Sequence, residues 1–501
     1  MLFNSFEFIC LFLPITLWIF FAIGGRGWER GANAWLVMAS LFFYGWWKPA
    51  YLVLLGFSLV FNYTVGAVLS QRFQVPVSRK LMLMLGLCVN LSLISYYKYA
   101  NFFAININAV AGTNFNLNNV ILPLGISFFT FEQIAFLVDV YRGTTKEHSF
   151  IKYCLFLTFF PRLIAGPIIL HQETIPQFNK KETYQFDAEN LAVGLTIFIT
   201  GLFKKVILAD GIAVYATPVF EAAARGQGLT FLEGWSGAIA YLFQLYFDFS
   251  GYSEMASGAA RMFGIKLPLN FNSPYKSANI IEFWRHWHMT LSRFLREYLY
   301  IPLGGNRKGE LRHHANLMIT MLLGGLWHGA GWTFVFWGGL HGIYLVINHQ
   351  WHAFRRSLGH DLKKITWWGS LLGCLVTFLA VLVSWVFFRA ENLKAAFAIL
   401  ASMSGANGLS LSSTLPTNIK MLVLLALGVW LLPNTQQWLV HYDPAFDKVT
   451  ADTPSVWGER LWTKLQWRPA LFQSLLLSLM AFFALLKMFS VTHSEFLYFN
   501  F

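Results

Sequence analysis

Charge is what this sequence has least of. Asp, Glu, Lys and Arg make up 12% of its 501 residues while 56% are hydrophobic, whereas soluble domains carry about a quarter charged residues. So much apolar surface cannot be kept from water by folding alone, which excludes an ordinary soluble enzyme. No domain-sized polar insertion, low-complexity linker or short-period repeat breaks the pattern, and residues 1–501 read as one domain. Cysteine is scarce as well. Cys10, Cys88, Cys154 and Cys374 stand apart in apolar stretches, without CxxC spacing or a neighbouring His, so no metal is expected and the thiols read as reduced packing residues. The first apolar run has no basic stretch before it and no small-residue cleavage site after it, and reads as a retained helix. GxSxG, HExxH and Walker-type loops are missing too, which argues against a serine elbow, a zinc helix and a phosphate cradle.

What is present is length of apolar run. Such runs recur at about 7–24, 34–70, 81–111, 120–140, 151–170, 190–216, 229–248, 316–349, 369–388, 420–441 and 471–490. Crossing the bilayer core takes roughly 20 helical residues, so the expected fold is an all-α polytopic membrane protein of about ten to twelve transmembrane or re-entrant helices. The longest runs are expected to hold two segments or a re-entrant pair. Trp and Tyr collect where headgroups meet acyl chains, and Tyr44, Trp46 and Trp47 form such a cluster. The net charge of +13 is spread over short loops, not one soluble face, so membrane lipid is an expected partner and nucleic acid is not. Arg26 and Arg30 follow the first helix, which puts the N-terminus outside and that loop in the cytoplasm. The richest basic stretch carries Arg285, Arg293, Arg296, Arg307, Lys308 and Arg312 against Glu297 and Glu310. It is expected to face the cytoplasm, where anionic donors are found.

Residues 279–303, NIIEFWRHWHMTLSRFLREYLYIPL, fall on one helical wheel with Ile280, Phe283, Trp287, Leu291 and Leu295 on one arc and Arg285, Arg293, Arg296 and Glu297 on the other. The pattern predicts an amphipathic helix at an interface. His286 lies among the charges and needs no function, whereas His288 lies in the apolar arc, as either a satisfied structural group or a working one. His328 lies within the uncharged run ITMLLGGLWHGAGWTFVFWGGLHG, a position expected near mid-span. An ionisable group at that depth is costly unless it lines a cavity or has a partner, so function is the default reading; the alternative is a bridge between two helices. Gly324, Gly325, Gly329 and Gly331 leave room for close backbone approach or for a thin ligand. A neutral imidazole can take a proton from a hydroxyl that attacks a carbonyl, and metal-free histidine-based acyl transfer fits. Asp248, in YFDFSGYS, is intramembrane and either orients an imidazole or supports packing.

The segment from FDFSGYSEM through RHWHMTLSRFLREYLYIPLGGNRKG, followed by GGLWHGAGWTFVFWGGLHG, resembles the membrane-bound O-acyltransferase (MBOAT) family in its bacterial branch of alginate and peptidoglycan O-acetyltransferases. MLFNSFEFICLFLP, PLGISFFTFEQIAFLVDVYRG, FPRLIAGPI, GLFKKVILAD, VSWVFFRAENL and SEFLYFNF carry the resemblance over nearly the whole chain. It implies helices around a central funnel or tunnel, a cytoplasmic acetyl-CoA donor with no bound cofactor, and catalytic roles for His328 and His288. It also implies a bacterial inner-membrane location, an extracytoplasmic polysaccharide acceptor and a periplasmic hydrolase-like, SGNH-type partner with a catalytic serine. Arg285, Arg293, Arg296, Arg307 and Lys308 then become candidate neighbours of the CoA phosphates, against the plainer role of positive-inside anchoring. A lipid or protein O-acyltransferase of the same family is the alternative enzyme. A transporter or export channel is the alternative from another class, for which repeated halves and several buried charges are the expected signs. Mid-span charges are few, chiefly Glu132, Asp139, Asp210 and Asp248.

Overall fold

A computed structural model describes residues 1–73, 76–115, 117, 120, 122–147, 149–362, 364, 366–408, 415–447, 466–490, 496 and 497. The SEFLYFNF motif, apart from Phe496 and Leu497, lies outside the described residues. Among them there is no strand. The main helices are α1 (Glu7–Gly24), α2 (Glu29–Gly45), α3 (Tyr51–Leu69), α4 (Arg79–Ala111), α5 (Ile126–Arg142), α6 (Phe150–Thr158), α7 (Ala188–Ala224) and α8 (Phe231–Met262). They continue with α9 (Ile280–His286), α10 (Met289–Leu295), α11 (Glu310–His328), α12 (Trp332–Ser357), α13 (Trp367–Arg389), α14 (Leu393–Met403), α15 (Leu415–Leu431) and α16 (Leu471–Ser490).

Six of these, α1, α3, α4, α7, α13 and α16, are long and apolar enough to cross a membrane. The measure leaves out α8, α11 and α12, which are 32, 19 and 26 residues long but include polar or charged residues such as Asp248 and Glu254, Glu310 and Arg312, and Arg355 and Arg356. The chain is a multi-pass membrane protein. Proline and glycine set several ends. The run 34–70 divides between α2 and α3 around Pro49, and 151–170 is helical only to Thr158. Beyond it Phe159–Ile169, which contains FPRLIAGPI, is buried without regular structure. Such backbone is tolerated at membrane depth only when protein surrounds it. Here Phe160 N–H donates to Ser40 Oγ at 3.0 Å, Ile168 N–H donates to Thr290 Oγ1 at 3.0 Å, and the buried Arg162 pairs with Glu132.

At the centre α7 packs along α8 with backbone against backbone. A Cβ added to Gly201 would come within 2.6 Å of Gly251 O, and one added to Gly258 within 2.6 Å of Gly194 O. Small residues are what let membrane helices approach this closely. Charges lock the same contact. Lys205 pairs with Asp248 and Lys204 with Glu254 across it, both at 2.5 Å, while Lys205 also takes Asp210 of its own helix at 2.9 Å. With Tyr298 donating to Asp139 at 2.9 Å, each mid-span carboxylate singled out from the sequence has a partner.

Candidate active site

His288 is presented by a break in the chain. The continuous helix expected over 279–303 does not form: α9 ends at His286, α10 begins at Met289, and a widened turn occupies Arg296–Tyr300. His288 adopts φ 43° and ψ 52°, a left-handed conformation that costs a non-glycine residue about 1–3 kcal/mol. Contacts with a distant segment impose it. Asn272 N–H donates to His286 O and Met289 N–H to Asn270 O, both at 3.0 Å, so the backbone here bonds outside any helix. His288 Nδ1 lies 2.9 Å from Asn270 Oδ1. Asn270 Nδ2 donates to Ser253 Oγ at 3.1 Å and Thr290 Oγ1 donates to Oδ1 at 2.9 Å. With the amide in this orientation its oxygen accepts from His288 Nδ1–H, which leaves the basic lone pair on Nε2.

His328 is not in the middle of a helix. The run 316–349 is a hairpin, with α11 ending at His328 and α12 starting at Trp332. The two helices cross at glycines, since a Cβ on Gly325 would come within 2.3 Å of Phe334 O and one on Gly338 within 2.3 Å of Met321 O. At the hairpin tip the His328 ring centroid is 5.0 Å from Trp337, 5.3 Å from Phe388 and 6.3 Å from His288. The two imidazoles, 4% and 0% exposed, therefore share one buried aromatic cage. His286 is outside it, half-buried with Nδ1 3.3 Å from Ser277 Oγ.

The remaining residues singled out from the sequence separate. Arg285, Arg296, Arg307 and Lys308 are exposed. Arg293 instead forms a two-pronged ion pair with Glu173, with one arm at 2.9 Å, and donates to Ile168 O at 3.4 Å, which fastens the buried loop to α10. Asp248 takes Lys205 on Oδ1 and Leu497 N–H on Oδ2 at 3.0 Å; its carboxylate does packing work and orients neither imidazole.

Three residues escaped the sequence reading. Asn270 gave no local signal. His341, in the GGLHG portion of the same glycine-rich run, accepts from Trp284 Nε1 at 3.2 Å on Nδ1 and has Ser384 Oγ 2.9 Å from Nε2; an indole N–H only donates, so this is a satisfied neutral histidine. Lys98 was legible as a lone cation in the 81–111 run. A cavity of about 50 Å³ lies beside it, bounded by Ser127, Phe128, Ala165 and Trp327 among others. That is space for a few waters or for a small acyl group, and far too little for a nucleotide.

Residues 82–384, which include both histidines, match the profile of MBOAT, the membrane-bound O-acyltransferase family. A peptidoglycan O-acetyltransferase of Helicobacter pylori is 45% identical over 439 residues, covering 82% of this chain and 81% of that protein. The chain belongs to the membrane-bound O-acyltransferase family. A probable alginate O-acetylase AlgI of Pseudomonas aeruginosa is 42% identical over 413 residues, 80% of this chain and 75% of that protein. A teichoic acid D-alanyltransferase of Streptococcus thermophilus is 32% identical over 286 residues, 53% of this chain and 68% of that protein. In this membrane-bound O-acyltransferase the matched residues extend from α4 to α13, and so contain the buried loop, the break at His288 and the hairpin tip at His328.

Proposed function

We propose that this protein is an O-acetyltransferase of the bacterial cytoplasmic membrane that moves acetyl from acetyl-CoA toward a polysaccharide outside the membrane, through a periplasmic SGNH-type hydrolase-like partner. The observation that carries the reading is the pairing of His328 with His288 in one buried aromatic cage, 6.3 Å apart. His328 is the group proposed to act on the acetyl acceptor, and His288, its proton held on Nδ1 by Asn270, is proposed to present Nε2 to the same space. As a general base, an imidazole removes the proton from an acceptor hydroxyl while that oxygen bonds to the thioester carbonyl carbon. The carbon–sulfur bond breaks and the proton passes to the departing thiolate. No metal is needed for that step.

Several observations support the finer points. The relatives' names speak of peptidoglycan, alginate and teichoic acid, polymers that lie beyond the cytoplasmic membrane. The exposed Arg285, Arg296, Arg307 and Lys308 suit the phosphates of a CoA nucleotide, and the small cavity by Trp327 suits a short acyl group. The test is a turnover series with purified protein, acetyl-CoA and longer acyl-CoAs. Acetyl-CoA should be preferred; equal or faster turnover with palmitoyl-CoA overturns the acetyl assignment.

A further inference from the structure

Lys98 and Tyr99 lie in a widened turn of α4, Ser95–Tyr99, beside the end of α11. The last helical bond of α11 is Gly329 N–H to Gly325 O, so the carbonyls of Leu326, Trp327 and His328 are those that a helix end leaves for outside donors. All three find donors on α4. The Tyr99 hydroxyl donates to Leu326 O at 2.9 Å, and the Lys98 ammonium to Trp327 O at 2.5 Å and His328 O at 3.2 Å. The third ammonium hydrogen meets Ser127 Oγ at 3.4 Å. An ammonium has three N–H bonds, and each here has an acceptor within the protein. Lys98 is thus arranged to grip backbone, not to receive an anionic substrate. A cation at a helix C-terminus also sits at the favourable end of the macrodipole.

We infer that Lys98 is a positioning residue for His328: by holding the carbonyls of Trp327 and His328 it sets the last turn of α11 and with it the direction of the His328 imidazole. The inference rests on the acetyl-transfer reading above. Replacing the ammonium by a methyl group leaves those two carbonyls to find other donors, and the turn that carries the imidazole rotates or frays.

The test compares native protein with Lys98→Arg, Lys98→Gln and Lys98→Met, each full-length and purified, for acetyl transfer, acetyl-CoA affinity and abundance. Misplacing a reacting group by an ångström costs about a hundredfold in rate, and that fall in kcat is expected for Lys98→Met with unchanged acetyl-CoA affinity. Lys98→Arg, which keeps charge and donors, should recover most of it. Lys98→Met combined with His328→Ala should be no slower than His328→Ala alone, because a residue acting through another adds nothing once that other is gone. The inference is overturned by near-native kcat in Lys98→Met, by affinity falling in step with rate, by additive losses in the double variant, or by loss of abundance that Lys98→Arg shares. A native protein that transfers no acetyl at all overturns the function itself. An active native protein with unimpaired Lys98 variants overturns only the positioning role.

Discussion

Two histidines in one cage and a third beside them differ in what fixes their protons. His341 is held neutral between Trp284 and Ser384, and His288 sets its Nδ1 against Asn270 Oδ1. His328→Ala and His328→Gln should each lower acetyl transfer by about two to four orders of magnitude if the imidazole is a general base, with acetyl-CoA affinity and membrane abundance little changed. A base role also implies no acetyl adduct on the ring in a rapid-quench mass measurement, whereas a covalent relay implies one. His288→Ala should cost activity heavily and His286→Ala little, since only the first lines the cage. Near-equal losses at matched expression would remove the distinction between them.

At the scale of elements, two joints place the imidazoles, the hairpin tip at His328 and the break at His288. The hairpin tip brings His328 to its place because Gly325 and Gly338 let α11 and α12 cross without side chains between them. Gly338→Val should force the helices apart and lower activity at least as much as it lowers stability, for which overpacking costs typically about 1–3 kcal/mol. Thermal unfolding and turnover, measured on one preparation, check this; native values for both would mean that the crossing is looser than its geometry. Helices were legible wherever long apolar runs met proline or glycine. The wheel over 279–303 misled because Asn270 and Asn272 break the helix from outside it, and no local pattern records a tertiary hydrogen bond. Lys98 was visible as an isolated cation, yet its acceptor on Trp327 is 229 residues away in sequence. The position of His328 was half legible: its run was apolar and glycine-rich, but the turn at 329–331 that puts it at a helix end was not marked by proline or by a charge.

Over the whole molecule, the stretch 285–308 exposes Arg285, Arg296, Arg307 and Lys308 while His288 and His328 are buried. Binding of acetyl-CoA should weaken as salt rises, because charge pairs in water are screened. Combined Arg285→Ala, Arg296→Ala, Arg307→Ala and Lys308→Ala changes should raise KM for acetyl-CoA, flatten that salt dependence and leave kcat nearly native. A lowered kcat with unchanged KM would place the nucleotide elsewhere. Sealed vesicles holding the purified chain alone should acetylate external polysaccharide far below the cellular rate, and a full rate would dispense with the partner.

The glycine contact between α7 and α8 has a mechanical consequence. Side chains can exchange rotamers and let two helices slide, but backbone set against backbone has no such play, and the Lys205–Asp248 and Lys204–Glu254 pairs clamp it further. Those two helices are joined as one stiff beam through the middle of the protein. The break between α9 and α10 lies against its flank, where the His288 ring meets Phe249 of α8 at 4.8 Å, so the imidazole is set against the stiffest part of the protein.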